Sequence, residues 1–164
     1  MGRASGVLMA VSSLPNSYGI GTFGKEAFDF IDFLVRTKQR YWQVLPLTTT
    51  SYGDSPYQSF SAAAGSPYYI DLKDLEKLGY LKSDDFEDIS FGTSNTCVDY
   101  GALFVNHRRL LNRAFDRFMQ DIPADFEKFC HDHAEWLNPY AEFMSLKEEF
   151  GHKAYWEWPE LYQH

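Results

Sequence analysis

The densest chemistry in the chain lies in one run, Ser51-Tyr52-Gly53-Asp54-Ser55-Pro56-Tyr57-Gln58-Ser59-Phe60-Ser61-Ala62. Asp54, Ser55, Gln58 and Ser59 offer hydrogen-bonding groups, and Tyr52 and Tyr57 offer flat rings beside them. That mixture suits a sugar, whose hydroxyls need donors and acceptors while its C–H faces need an aromatic surface. Pockets for many other small molecules share the same make-up. The plainer alternative makes Tyr57 and Phe60 ordinary packing residues of a structured loop.

Four other patterns invite chemistry and carry less of it. Gly19-Ile20-Gly21-Thr22-Phe23-Gly24 is a literal GxGxxG between a strand and a helix, the form that cradles a pyrophosphate at a helix N-terminus. Its context fails: Ser12 to Tyr18 separate it from the strand, and no Asp or Glu lies between Phe33 and Gly53 to take a ribose hydroxyl. A flexible loop before a helix accounts for the glycines. His131-Asp132-His133 resembles a metal pair, but on a helix positions two apart point to different sides, so exposed histidines are expected. Arg109, Arg113 and Arg117 recur every four residues and read as a solvated basic face. Asp84, Asp85, Glu87 and Asp88 lack the glycine and spacing of a calcium loop.

The elements that must position these residues follow from periodicity. Val7–Val11 is a short apolar run, expected to be a strand buried on both faces. Ala27, Phe30, Ile31 and Leu34 mark a helix over Lys25–Thr37, with Glu26 near its positive end and Arg36 and Lys38 near the other. Tyr41–Leu45 is a second strand stopped by Pro46, so strand, helix and strand form a βαβ unit with parallel strands. The loop from Thr48 to Pro67 then leaves the C-terminal end of a parallel strand, where α/β folds place their sites. Tyr68–Leu72 is expected to be a short strand. Beyond it, Leu103, His107, Leu110, Leu111, Ala114 and Phe118 mark a helix from about Asp99. Phe126, Phe129, Cys130 and Leu137 mark a second helix with Pro123 near its first turn, and Tyr140, Phe143, Met144 and Phe150 a third, closed by Gly151. Two parallel strands and one short one do not complete a parallel sheet.

Composition bounds the function. The chain has 164 residues, 45% hydrophobic and 23% charged, which is ordinary for one globular domain. A net charge of −8 is a poor match to nucleic acid or an anionic membrane. Cys97 and Cys130 form neither a CxxC site nor a disulfide framework, and no apolar run reaches the length of a membrane span or a signal core. A cytoplasmic protein without metal or organic cofactor is expected.

Longer motifs narrow the reading. Arg40-Tyr41-Trp42-Gln43-Val44-Leu45-Pro46-Leu47, Tyr52 through Ala62, and Gly65-Ser66-Pro67-Tyr68 closely resemble the bacterial 4-alpha-glucanotransferases, the amylomaltases or disproportionating enzymes of glycoside hydrolase family 77. Gly6-Val7-Leu8, Ser12-Ser13-Leu14-Pro15 and Tyr18-Gly19-Ile20-Gly21 resemble the family's opening. The likeness is dense over about 5–72 and looser beyond, where Val98-Asp99-Tyr100 and the helices fit an inserted subdomain.

The resemblance implies an α/β fold: the N-terminal portion of a TIM (β/α)8 barrel of the alpha-amylase clan, with a mainly helical inserted subdomain. Residues 1–75 would be the first β/α units and 76–164 the insertion. A barrel takes roughly 250 residues, so the chain reads as an N-terminal segment. The implied activity moves an α-1,4-glucan segment between maltooligosaccharides with retention at the anomeric carbon. The family's nucleophilic Asp, acid/base Glu and stabilising Asp lie on later strands, and none of their motifs occurs here. By the same resemblance Tyr57 lies against the sugar next to the cleaved bond and Ser55 reaches a hydroxyl there. Asp54 bonds the sugar or its own loop backbone, and Tyr52 belongs to a second glucan groove. Two rival readings are a stand-alone sugar-binding module of the same origin and a nucleotide-binding α/β domain.

Overall fold

The computed structural model describes residues 2–94 and 96–163. Two strands, β1 (Gly6–Leu8) and β2 (Tyr41–Gln43), pair in parallel with Gly6 opposite Tyr41, Val7 opposite Trp42 and Leu8 opposite Gln43. Between them runs helix α1 (Lys25–Arg36), which supplies the crossover a parallel pair needs. Its residues Ala27 and Leu34 are buried, and Ala27 and Phe30 pack with Val11, Leu14, Trp42 and Val44 into one apolar cluster. Ile31 stays exposed. The Trp42 indole N–H donates to the Met9 carbonyl at 2.8 Å and ties the two strand ends together.

The expected strand over Val7–Val11 is corrected at its end and in its surroundings. Pairing stops at Leu8, and Val11 is the buried start of a 3-10 turn over Val11–Ser13. Leu8 is 59% exposed, because among the described residues the sheet has two strands and nothing covers that face.

A second correction concerns Tyr68–Leu72, which forms no strand. Pro67–Tyr69 is a 3-10 turn, and Asp71 caps helix α2 (Leu72–Lys77), its carboxylate accepting from the Asp74 N–H at 3.1 Å. A carboxylate satisfying an orphan first-turn amide starts a helix there, which prevails over the strand preference of Tyr68, Tyr69 and Ile70. Thr22 donates to the other Asp71 oxygen at 2.5 Å. Gly24 abuts that same carboxylate, and a Cβ at Gly24 would drive into it. The GxGxxG glycines therefore serve close chain packing.

Helix α3 (Tyr100–Phe118) begins at Asp99, whose side chain accepts from the Ala102 N–H at 2.9 Å. Its buried stripe is Leu103, His107, Leu110 and Ala114. Leu110 and Ala114 join Leu72 and Leu81 in a second apolar cluster, flanked by Tyr18, Tyr80, Phe86 and Phe91. The arginine stripe is less solvated than its spacing implies. Arg117 grips Asp85 with two nitrogens at 2.6 and 3.0 Å and donates to the Tyr80 carbonyl at 2.8 Å, while Arg113 donates to the Asp85 carbonyl.

Residues 1–122 form one compact unit and 123–164 another. In the second, α4 (Ala124–Asp132) follows Pro123, and α5 (Ala134–Glu149) follows a break at His133. Leu137, expected on the same helix as Phe126 and Phe129, thus belongs to the next one. Phe143 and Phe150 each lie 5.5 Å, ring to ring, from the buried Trp158. No described helix is long and apolar enough to cross a membrane.

Candidate functional site

The loop after β2 is held as a closed structure by its own backbone. Thr48 pairs with Gly65 in an antiparallel bridge, the Thr49 N–H donates to Ala64 at 3.2 Å, and the Ser66 N–H donates to Leu47 at 2.9 Å. Two turns follow one another inside this stem. The first closes with the Asp54 N–H on the Ser51 carbonyl at 3.0 Å, Gly53 at φ +96° and Asp54 at φ +55°. Positive φ at its third residue explains glycine there, and Asp tolerates the left-handed region next to it. The second closes with the Gln58 N–H on the Ser55 carbonyl at 3.1 Å, with Pro56 at the corner where a fixed φ suits a turn.

These turns decide which side chains face outward. Tyr52 sits at the corner of the first and is 99% exposed; Tyr57 sits at the corner of the second and is 75% exposed. Ser55 lies between them, half-buried, its Oγ accepting weakly from the Tyr57 N–H at 3.4 Å. Ser59 and Ser61 are spent on the loop itself: Ser59 donates to the Ser61 carbonyl at 2.7 Å, and the Ser61 hydroxyl accepts from Ala63 and Ala64 at 3.1 Å. Asp54 is half-buried, and desolvation pushes its carboxyl above the ordinary range. No hydrogen bond joins that carboxylate to another described residue. Burial and then the Asp54 charge push the Tyr68 hydroxyl up, and burial, then Tyr69 and then Asp54, push the Tyr100 hydroxyl up.

All four predicted site residues, Tyr52, Asp54, Ser55 and Tyr57, thus occupy one loop, with two rings and two small polar groups on adjacent turns. Tyr68 and Tyr100 are neighbours that the sequence did not single out; their distance apart in the chain hid them. A separate cleft of about 640 Å³ lies between the 12–20 loop and residues 91–94 and 96–98, and Glu26 is its one charged lining residue among those described. Its described lining offers no Lys or Arg side chain to pair with a phosphate.

A family model described as 4-alpha-glucanotransferase, glycoside hydrolase family 77, matches residues 9–164. The chain belongs to this family. A 4-alpha-glucanotransferase of Streptococcus pneumoniae is 54% identical over 160 residues, 96% of this chain and 32% of the relative. The 4-alpha-glucanotransferase of Thermus thermophilus is 45% identical over 161 residues, 96% of this chain and 31% of its own length. A solved amylomaltase of Streptococcus agalactiae, in complex with acarbose, superposes with a TM-score of 0.91 at 50% identity, covering 97% of this chain and 32% of that one. The chain therefore spans about a third of the length of these 4-alpha-glucanotransferases.

Proposed function

We propose that these 164 residues supply substrate contacts to a 4-alpha-glucanotransferase that transfers α-1,4-glucan segments between maltooligosaccharides. The observation that carries the reading is the loop after β2, which sets Tyr52 and Tyr57 on two turn corners beside Ser55 and Asp54. An aromatic ring takes the C–H face of a glucose unit, and the Ser55 hydroxyl and Asp54 carboxylate take its hydroxyls. Tyr57 and Ser55 serve the sugar beside the cleaved bond, and Tyr52 a second glucan groove. The amylomaltase relative in complex with acarbose supports an oligosaccharide ligand.

In this reading residues 1–75 are the first β/α units of a (β/α)8 barrel and 76–164 a mainly helical insertion, in a cytoplasmic bacterial enzyme. The parallel β1–α1–β2 unit is what such a barrel repeats. Bond exchange proceeds by double displacement. A carboxylate displaces the leaving 4-oxygen at the anomeric carbon while a second carboxyl group protonates it. The 4-hydroxyl of an acceptor sugar then displaces the carboxylate and returns its proton to the acid/base group. Both carboxyl groups belong to polypeptide outside this chain.

Incubation of the chain with maltotriose, beside a complete family member, tests the assignment. The expected result is no ladder of longer glucans from this chain alone and a ladder from the complete enzyme. A ladder from the chain alone would overturn the placement of the carboxylates elsewhere.

A further inference from the structure

The buried stripe of α3 contains one residue that packing alone does not call for. His107 lies between Leu103 and Leu110 and is 1% exposed. Neither ring nitrogen completes a hydrogen bond among the described residues, although the Ile70 backbone lies close enough to oppose, in part, the effect of burial on the imidazole. A neutral imidazole carries one donor and one acceptor, and native interiors rarely leave such groups unpaired. Leucine or phenylalanine would fill the stripe without stranding them.

The imidazole does have a specific neighbour. The Tyr68 ring stands edge-to-face with it, centroids 5.8 Å apart and planes at 80°, and Tyr100, on the same helix, tilts against Tyr68 at 6.1 Å. Edge-to-face pairs fix orientation as well as distance. Tyr68 belongs to the 3-10 turn that follows the stem of the candidate sugar loop, where the Ser66 N–H meets Leu47. Its hydroxyl also feels the charge of Asp54, on the loop's first turn. His107 and Tyr68 thus connect the interior face of α3 to the segment that closes the loop's stem.

We propose that His107 is a positioning residue for the 48–66 loop: its ring seats Tyr68 on α3 and so fixes the turns that carry Asp54, Ser55 and Tyr57. The consequence for substrate rests on the sugar-contact reading above; the positioning itself does not.

Residue-resolved hydrogen exchange of the full 164-residue chain tests it. His107→Ala is expected to speed exchange of the Thr49, Asp54, Gln58 and Ser66 amides, all hydrogen-bonded in the loop, by about tenfold relative to the α1 amides. His107→Phe, which keeps a ring against Tyr68, should restore protection. Leu110→Ala opens the same helix face in a cluster that excludes Tyr68, and should show no loop selectivity. If His107→Ala fails to fold, His107→Leu, which keeps bulk and loses the ring, must give the same loop-selective increase. Unchanged loop exchange, an equal effect of Leu110→Ala, or no rescue by phenylalanine would overturn the proposal. Adding maltotriose separates the two readings: absence of shifts at Ser55 and Tyr57 in the unmutated chain counts against sugar contact and leaves the exchange result standing.

Discussion

Arg117 holds Asp85 in a two-pronged grip, Nη1 to Oδ2 at 2.6 Å and Nη2 to Oδ1 at 3.0 Å, and so fastens α3 to the 3-10 turn over Ser83–Phe86. The guanidinium, and the Lys82 N–H after it, hold the Asp85 carboxyl down to about 2. A depressed carboxyl pKa adds stability that is present above the unfolded value near 3.8 and is lost as pH falls through about 2. Asp85→Asn is expected to lower stability by about 1–2 kcal/mol at neutral pH. It should also remove the acid-dependent loss in that window, as urea melts at stepped pH would read.

His107 gives a second and separate pH window. Burial pushes its pKa down from 6.5 to about 4, so the unfolded chain takes up the proton first. Stability is expected to fall as pH drops from about 6.5 to about 4, because only the unfolded state gains charge there. His107→Phe should flatten the melting midpoint over that interval while leaving the Asp85 window in place.

Tyr57 stands at a turn corner with most of its surface in solvent, so the fold makes little use of its ring. In the complete enzyme Tyr57→Ala is expected to cut glucan transfer by at least about tenfold, with stability changed by no more than about 0.5 kcal/mol. Transfer rates with a maltooligosaccharide donor and a thermal melt of the same preparation check the two halves. Unchanged kinetics would remove the role given to this ring.

Gly24 lies where the chain passes the Asp71 carboxylate, itself held by Thr22 and capping α2. Gly24→Ala forces that carboxylate or the loop to shift, and a loss of roughly 1–3 kcal/mol is expected from overpacking. Denaturant unfolding measures it. An unchanged midpoint would mean that the close approach relaxes at no cost.

Much of the molecule was legible residue by residue. The spacing of Ala27, Phe30 and Leu34 is enough for α1, Asp99 marks the start of α3, and the order of strand, helix and strand implies the parallel pair. Each depends on side chains within a turn or two of one another, so chain order encodes them. The candidate loop was legible as a run of hydrogen-bonding groups beside Tyr52 and Tyr57, whereas its two successive turns, which set those rings outward, came from the structure. Membership of the 4-alpha-glucanotransferase family was carried by long contiguous motifs. What depended on distant partners was not legible. The Arg117 grip on Asp85 spans 32 positions and the Thr22 contact with Asp71 spans 49, and only the tertiary fold brings them together. Strand preference at Tyr68–Ile70 gave way to the Asp71 cap, and α4 ended at His133 although apolar spacing ran on to Leu137. A pattern of residue types states which contacts are affordable locally; burial and partner choice are free energies of the whole packed chain, and the tertiary structure alone decides them.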